Sequence, residues 1–412
     1  MNEELIPPKD NGLACGFTKL ILPAVLQYQQ LEVTASASCV DAVRNLRGKS
    51  TVLLLNHSDR FDPLCAFALS KFCDEDFYYL SSREQFDGSL GIRGWCMQQV
   101  GTYSVIRGVP EDFASKELTI SLITEAKRKL IMFPEGDVTG RDDAILPLKE
   151  DGIRNMLTAQ QRLMDSGSPR EVFLLPISIY YQASSDVIPA LNKSLDKFET
   201  HLSLPMMRDS FEPRIRRVVE AMIARLASHY GVVLSGSSID EKLLELCKHV
   251  SMSIANLYGI APEDTSDPMV VLHTVRGRLW RLMHEERGDG TKYGDRLRAE
   301  RRTSGQGCIK DLDRMEQMLI LAHTLQQYEF SVEEAWRAID RLELEITGTA
   351  SRKGHRVARL EAAPAISLTE FMSSWTYYPD KTIHLVDQRA RVAMYSALQK
   401  SKKASHSVAV AV

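Results

Sequence analysis

Two hydrophobic patterns divide this 412-residue chain near its middle. Up to about residue 182, short apolar or alternating runs are separated by longer stretches that carry apolar side chains at helical spacing. Runs of the first kind predict strands, and stretches of the second kind predict helices. The predicted strands lie at 31–37, 51–55, 76–80, 99–106, 129–133 and 171–181, and the helices at 63–73, 115–128 and 150–165. This alternation predicts an α/β domain with a mixed, largely parallel sheet flanked by helices.

The second half of the chain shows the helical pattern alone. Its predicted helices lie at 213–230, 241–258, 269–286, 310–328, 331–345 and 365–400. We therefore predict a mainly α-helical C-terminal half, which carries no motif with a recognisable chemistry. The predicted organisation is an N-terminal helix at 1–30, an α/β domain at 31–205, a helical domain at 206–345, a polar and basic linker at 346–363, and a C-terminal helix and tail at 364–412.

Composition narrows the class of protein. A hydrophobic fraction of 44% allows a sizeable core, and a net charge of −3 gives no indication of nucleic-acid binding. Seven cysteines without a Cys-x-x-Cys pair, and histidines without zinc-ligand spacing, indicate reduced thiols and no metal site. The acidic first four residues lack the basic start of a signal peptide, so we expect a cytoplasmic protein.

The N-terminal segment has two possible roles. Its longest apolar run, at 20–26, is far shorter than the roughly 20 residues that a transmembrane helix requires. A helix over 15–30 can lie in the membrane interface, with Phe17 and Tyr28 at the level of the headgroups. Such a helix can equally cover an apolar edge of the α/β domain, and periodicity does not distinguish the two.

The most informative stretch is Asn-His-Ser-Asp-Arg-Phe-Asp-Pro at 56–63, directly after the predicted strand 51–55. His57 and Asp62 are five positions apart, so their side chains can meet across a tight turn. A carboxylate that holds one ring nitrogen of a histidine leaves the other nitrogen available as a base. An ordinary Asp-capped turn would give the same pattern. We interpret His57 as a general base and Asp62 as its orienting acid.

Three later stretches extend this interpretation. They are Gly-Thr-Tyr-Ser-Val-Ile-Arg at 101–107, Phe-Pro-Glu-Gly at 133–136 and Leu-Leu-Pro-Ile at 174–177. In order and spacing, these stretches and the one at 56–63 resemble the four sequence blocks of the glycerolipid acyltransferases, the lysophosphatidate and glycerol-3-phosphate acyltransferase family. The resemblance extends over about residues 15–205.

The resemblance implies a function for each block. It implies that a hydroxyl group attacks an acyl thioester directly while His57 removes its proton, without an acyl-enzyme. It implies that Arg107 binds the acceptor phosphate and that Glu135 and Gly136 shape the acceptor pocket. The further candidates for substrate binding are Asn56, Arg60, Gly101 and Pro134. Backbone N–H groups around the His57 turn or at Gly136 are the candidate donors to the oxyanion.

The expected protein is thus a peripheral membrane enzyme of phospholipid biosynthesis without a cofactor. Its donor would be acyl-CoA or an acylated acyl carrier protein. Its acceptor would be a glycerol phosphate or a lysophospholipid, with 1-acylglycerol-3-phosphate favoured.

Two other functions stay open. One is a thioesterase-like hydrolase, in which water replaces the alcohol. The other is a catalytically silent lipid-binding or scaffold protein with the helical half as its interaction module. The His57–Asp62 pair argues against the silent protein. The departure from the family pattern at 137–139, in the third block, keeps it open. Asp59 replaces a usual Ser, and this departure bears on the choice of acceptor. The basic segment 276–302 is either a contact for anionic headgroups or an acidic carrier, or a solvated helix face with internal ion pairs.

Overall fold

The computed structural model describes residues 5–87, 91–106, 112–141, 144–261, 267–284, 291–326 and 330–409. The chain divides into two compact units. The first unit consists of Met1–Val105, Asp112–Val187 and Arg352–Val412, and the second consists mainly of Ile188–Ser351.

The N-terminal part of the first unit alternates helices and strands, as predicted. In chain order these are α1 (Gly12–Tyr28), β1 (Leu31–Ala35), α2 (Ala37–Arg44), β2 (Ser50–Leu55), α3 (Asp62–Cys73), β3 (Phe77–Ser82), α4 (Glu84–Asp87), α5 (Ile92–Gln99), β4 (Thr102–Val105), α6 (Phe113–Glu125), β5 (Lys129–Met132), α7 (Glu150–Asp165) and β6 (Val172–Ala183). All six predicted strands are present within a few residues of their expected limits. The helices α2, α4 and α5 were not predicted, because each is at most eight residues long and so too short to show a helical period.

The second unit is built from helices over the residues that the structure describes. These are α8 (Ile188–His201), α9 (Phe211–Tyr230), α10 (Ile239–Tyr258), α11 (Pro268–His284), α12 (Lys292–Leu325) and α13 (Val332–Thr347). Arg276 of the basic segment lies inside this unit, where it pairs with Glu316 at 2.6 Å and Asp313 at 2.7 Å. Internal ion pairing therefore accounts for this arginine.

The C-terminal segment returns to the first unit and completes its sheet. It forms β7 (Arg356–Ala362), β8 (Ile366–Ser367), α14 (Met372–Tyr377) and α15 (Pro379–Ala409). The predicted linker at 346–363 is therefore wrong over Arg356–Ala362. The buried face of that strand holds an arginine and alanines beside one leucine, so its composition is that of a polar linker although its burial alternates as in a strand.

The sheet has the strand order β1-β7-β6-β2-β5-β3-β4, with β8 beside β6. The β1–β7 pair and the pairs among β6, β2, β5, β3 and β4 are parallel, whereas β7 and β8 run antiparallel to β6. The predicted fold class is confirmed. The central strand β2 is buried along its length, with Val52 and Leu54 in the core on one face and Leu53 and Leu55 in the core on the other.

None of the helices in the described ranges combines the length and the apolar character that crossing a bilayer demands. The helix α15 instead contributes Ile383, Val386, Ala390, Met394 and Leu398 to the core that α7 also covers.

Candidate active site

His57 lies just beyond the carboxyl end of β2, between β6 and β5. The chain turns at Asn56–Phe61 and enters α3 at Asp62, so the His57 and Asp62 side chains meet across this turn. His57 Nδ1 is 2.8 Å from Asp62 Oδ2. The His57 side chain is 16% exposed, whereas that of Asp62 is fully buried. The histidine is thus reachable from solvent while its carboxylate partner is sealed in.

The Asp62 carboxylate accepts three hydrogen bonds. Oδ2 accepts from His57 Nδ1 and from the Asp59 N–H at 2.9 Å, and Oδ1 accepts from the Tyr181 hydroxyl at 2.7 Å. Burial raises the pKa of Asp62, and the hydrogen bonds from His57 and Asp59 oppose that shift. Because a carboxylate only accepts, we assign the proton of neutral His57 to Nδ1, which leaves the Nε2 lone pair free.

The Phe-Pro-Glu-Gly block fixes the position of His57. Glu135 Oε1 accepts the His57 N–H at 2.8 Å, and the Thr139 N–H donates to the His57 carbonyl at 2.6 Å. The His57 ring stacks on Phe133 with 4.4 Å between ring centroids. Backbone and ring are therefore both held by residues 133–139.

Both carboxylate oxygens of Glu135 accept hydrogen bonds from backbone N–H groups. Its Oε2 accepts the Leu146 N–H at 2.9 Å. Burial raises the pKa of Glu135 to about 7, opposed by the two backbone N–H groups that it accepts. This geometry assigns Glu135 to holding the His57 backbone, rather than to the expected acceptor pocket.

Two other predicted substrate ligands have structural roles. Asn56 is buried and exchanges two hydrogen bonds with the Ile179 backbone on β6, at 2.6 and 3.1 Å, which extends the pairing of β2 and β6. Gly101 precedes β4 and lies at the amino ends of the parallel strands, whereas His57 lies at their carboxyl ends. Its φ is +91°, and an added Cβ would come within 2.9 Å of the Phe77 carbonyl oxygen. The backbone therefore requires glycine there without any ligand.

Two further predicted residues, Pro134 and Gly136, lie in the turn after β5. The Pro134 carbonyl accepts the Lys149 N–H at 2.7 Å. Gly136 has a φ of +81°, and a Cβ there would lie 2.6 Å from Lys149 Cε. Arg60 is exposed near His57 with its guanidinium over the Phe61 ring. Arg107 lies outside the described residues, so its predicted contact with phosphate stays a prediction.

The candidate oxyanion donors are partly occupied. The N–H groups of His57, Asp59 and Gly136 donate to Glu135, Asp62 and the Phe133 carbonyl, respectively. These three groups already have acceptors, so the expectation that they bind the oxyanion is not supported by their geometry.

Tyr181 and Arg356 also belong to this site and were not predicted from the sequence. Arg356 Nη1 lies 2.7 Å from Asp59 Oδ2, across 297 positions of sequence. Neither residue belongs to a motif. The signal for Tyr181 is its place near the end of the predicted strand 171–181, which is β6 and pairs with β2, the strand before His57. Arg356 has no comparable local signal.

Comparison with known proteins agrees with this geometry. Residues 37–180, about a third of the chain, match the family model described as Acyltransferase. No curated protein matches the chain. The matched range contains His57, Asp62 and Glu135, and it confirms both the resemblance to glycerolipid acyltransferases and the prediction of an O-acyltransferase.

Proposed function

We propose that this protein acylates a glycerol phosphate or a lysophospholipid, and the match of residues 37–180 to the acyltransferase family model supports this. The favoured acceptor is 1-acylglycerol-3-phosphate, and the donor is acyl-CoA or an acylated acyl carrier protein. The observation that carries the proposal is the His57–Asp62 pair, with a buried carboxylate on Nδ1 and a partly exposed imidazole.

The reaction needs one base. The acceptor hydroxyl oxygen attacks the thioester carbonyl carbon while His57 Nε2 takes the hydroxyl proton. The tetrahedral intermediate then collapses, the C–S bond breaks, and the proton passes from His57 to the leaving thiolate. Asp62 stabilises the imidazolium that forms between these steps.

A second support is that the chain holds the base rigidly. Three protein contacts restrain the His57 backbone and ring: the Glu135 carboxylate, the Thr139 N–H and the Phe133 ring. A base fixed in this way loses little freedom when the substrates bind, which favours proton transfer. Arg107 and Arg60 remain our proposed contacts for the acceptor phosphate, since an arginine can clamp it with two hydrogen bonds.

Attachment to a membrane surface is part of the proposal. Leu13, Phe17 and Leu20 of α1 are 88%, 62% and 75% exposed and recur at helical spacing on one side of the helix. On its other side, Leu22 is buried in the core that β1 and α3 share. The helix thus covers the domain with one face and leaves an apolar stripe that fits a lipid interface.

The test uses labelled acyl-CoA and labelled acyl carrier protein with a panel of acceptors, and identifies the lipid product. We expect an acylated glycerol phosphate or lysophospholipid. His57→Asn keeps an N–H donor near the Nδ1 position but removes the base, so the rate should fall about 10²–10⁴-fold. The matched control is His249→Asn, at an exposed histidine of α10. Thioester loss without an acylated product would identify a hydrolase, and no turnover of any thioester would favour the silent lipid-binding protein.

A further inference from the structure

Asp59 and Arg356 form a buried ion pair beside the proposed catalytic dyad of His57 and Asp62. Asp59 Oδ2 and Arg356 Nη1 are 2.7 Å apart, and the two residues are only 5% and 3% exposed. The Asp59 N–H donates to Asp62 Oδ2, the oxygen that also holds His57. The Asp59–Arg356 ion pair is therefore separated from His57 only by the Asp62 carboxylate.

Arg356 is fixed by the sheet. It is the first residue of β7, its N–H donates to the Gln30 carbonyl at 2.9 Å, and its neighbour on β6 is Ala183. Its guanidinium lies over the Tyr181 ring, with 5.2 Å to the centroid. Arg356 thus contacts both Asp59 and Tyr181, and each of these donates a hydrogen bond to Asp62.

The charges explain why a cation is useful here. Asp59 and Asp62 are both buried and are joined by a direct hydrogen bond. Two neighbouring carboxylates disfavour each other's ionisation unless a positive charge offsets one of them. Among the residues that the structure describes, the titratable groups that contact the dyad or Asp59 include Glu135, Tyr181 and Arg356, with Cys65 against Tyr181. Arg356 is the cation among these groups, and an arginine keeps its charge at any working pH.

The Asp59 side chain also fixes the turn. Its Oδ1 accepts the Phe61 N–H at 3.0 Å, which closes the loop just before α3 begins. The Arg356 guanidinium lies over the Phe61 ring as well, 5.1 Å from its centroid. One arginine therefore restrains the Asp59 carboxylate and the side chain of the residue that precedes Asp62.

We propose that Arg356 is a positioning residue of the acyl-transfer site, which holds Asp59 and Tyr181 so that Asp62 stays ionised and aligned on His57. The inference rests on the proposed function. It adds to the site a residue that lies 176 positions beyond the end of the matched range at residue 180.

The test compares four variants in the full chain. Arg356→Met removes the positive charge and keeps much of the volume, and Arg356→Lys keeps the charge without the planar fork. Asp59→Asn removes the negative charge, and Asp59→Asn/Arg356→Met removes both charges of the pair. The matched control is Arg359→Met, on the same strand and bonded to Gln182. The readouts are the thermal melt, kcat and KM for acyl transfer, and the downfield proton resonance of the His57 Nδ1–H, which needs no substrate.

If Arg356 positions the dyad, Arg356→Met loses or broadens the downfield resonance and lowers kcat on the order of ten-fold or more, with little change in KM. Arg356→Lys and the double variant recover part of both signals, because the lysine keeps a cation beside Asp59 and the double variant removes both charges of the pair. Arg359→Met keeps the wild-type resonance and kcat.

The opposite result is equally clear. A folded Arg356→Met protein with the wild-type resonance and kcat overturns the inference, whatever its melting temperature. If Arg356→Met does not fold, the comparison of the double variant with Asp59→Asn decides. If both variants show the wild-type resonance and kcat, the positioning role of Arg356 is refuted. If the double variant has a weaker resonance and a lower kcat than Asp59→Asn, that role is supported. Absence of acyl transfer in the wild type would count against the proposed function alone, since the resonance still reports on the dyad.

Discussion

Asp62→Asn is the substitution for which the structure makes the most specific prediction. The amide oxygen can take the place of Oδ2 and accept from His57 Nδ1 and the Asp59 N–H. The amide NH₂ then faces the Tyr181 oxygen, and the Tyr181 proton can turn to Cys65 Sγ, 3.3 Å away. The asparagine therefore fits the network, and His57 should keep its proton on Nδ1.

The rate loss should then come from the charge alone. A carboxylate in contact with a base favours the protonated form of that base by about 1–4 kcal/mol. Loss of that stabilisation of the imidazolium corresponds to a fall in kcat of roughly 10–10³-fold. A wrong tautomer would cost more, on the order of 10⁴-fold, as it does for the corresponding Asp→Asn substitution in a Ser-His-Asp triad.

Two measurements check this prediction. Steady-state kinetics give kcat, and nitrogen NMR of ¹⁵N-histidine-labelled protein reports which ring nitrogen of His57 carries the proton. Tyr181→Phe in the Asp62→Asn background removes the acceptor for the amide, so this double variant should lose the Nδ1–H tautomer. A wild-type rate for Asp62→Asn, or a 10⁴-fold loss with the proton on Nε2, would refute the reasoning.

The remaining predictions concern Glu135, α1 and the C-terminal segment. Burial raises the pKa of Glu135 from 4.5 to about 7, so between these pH values the folded protein holds a proton that the unfolded chain has released. The free energy of unfolding should therefore fall by about 3 kcal/mol as pH rises through this window. Urea unfolding of Glu135→Gln should show no such dependence on pH, and an unchanged dependence would contradict the burial effect. Replacing Leu13, Phe17 and Leu20 by Glu should abolish flotation with anionic vesicles, while Leu244→Glu, at an exposed leucine of α10, should not; vesicle binding by the triple variant would place the membrane contact elsewhere. A chain that ends at residue 205 lacks β7, β8 and α15 and should aggregate or lack acyl transfer, because it exposes the core face on which α15 packs; an active, cooperatively melting fragment would show that the C-terminal return is dispensable.

The parts of the site that could be predicted from the sequence are those encoded locally. His57 and Asp62 lie on the two sides of one turn, so their spacing of five residues determines whether they can meet. The strands around them are strongly apolar, and β2 in particular is buried along its whole length. In this part of the chain a local pattern was sufficient to predict the strands and the contact between His57 and Asp62.

Motif membership did not reveal what each motif residue does. Gly101 is required by a positive φ and by its approach to the Phe77 carbonyl, whereas Asn56 is required by the β6 backbone. Both belong to the recognised blocks, as Glu135 does. A block identifies residues that the fold or the chemistry requires, and only their contacts separate the two.

The C-terminal strand could not be predicted because its buried face is not apolar. Arg356 occupies an inward position of β7 beside Ala358, Leu360 and Ala362. An arginine at such a position removes one of the few hydrophobic signals in a short strand, so the segment was interpreted as a linker. The alternation of Ala358, Leu360 and Ala362 was the one usable signal, and two alanines give it little weight.

The same arginine is a poor choice if stability is all that matters. Burying an ion pair requires desolvating both charges, and replacement by well-packed apolar residues is often neutral or stabilising. Such a replacement would remove the Asp59 carboxylate that accepts the Phe61 N–H and the Arg356 cation that lies beside Asp59. The pair is therefore better explained by the positioning of Asp62 that we propose than by the stability of the sheet that holds it.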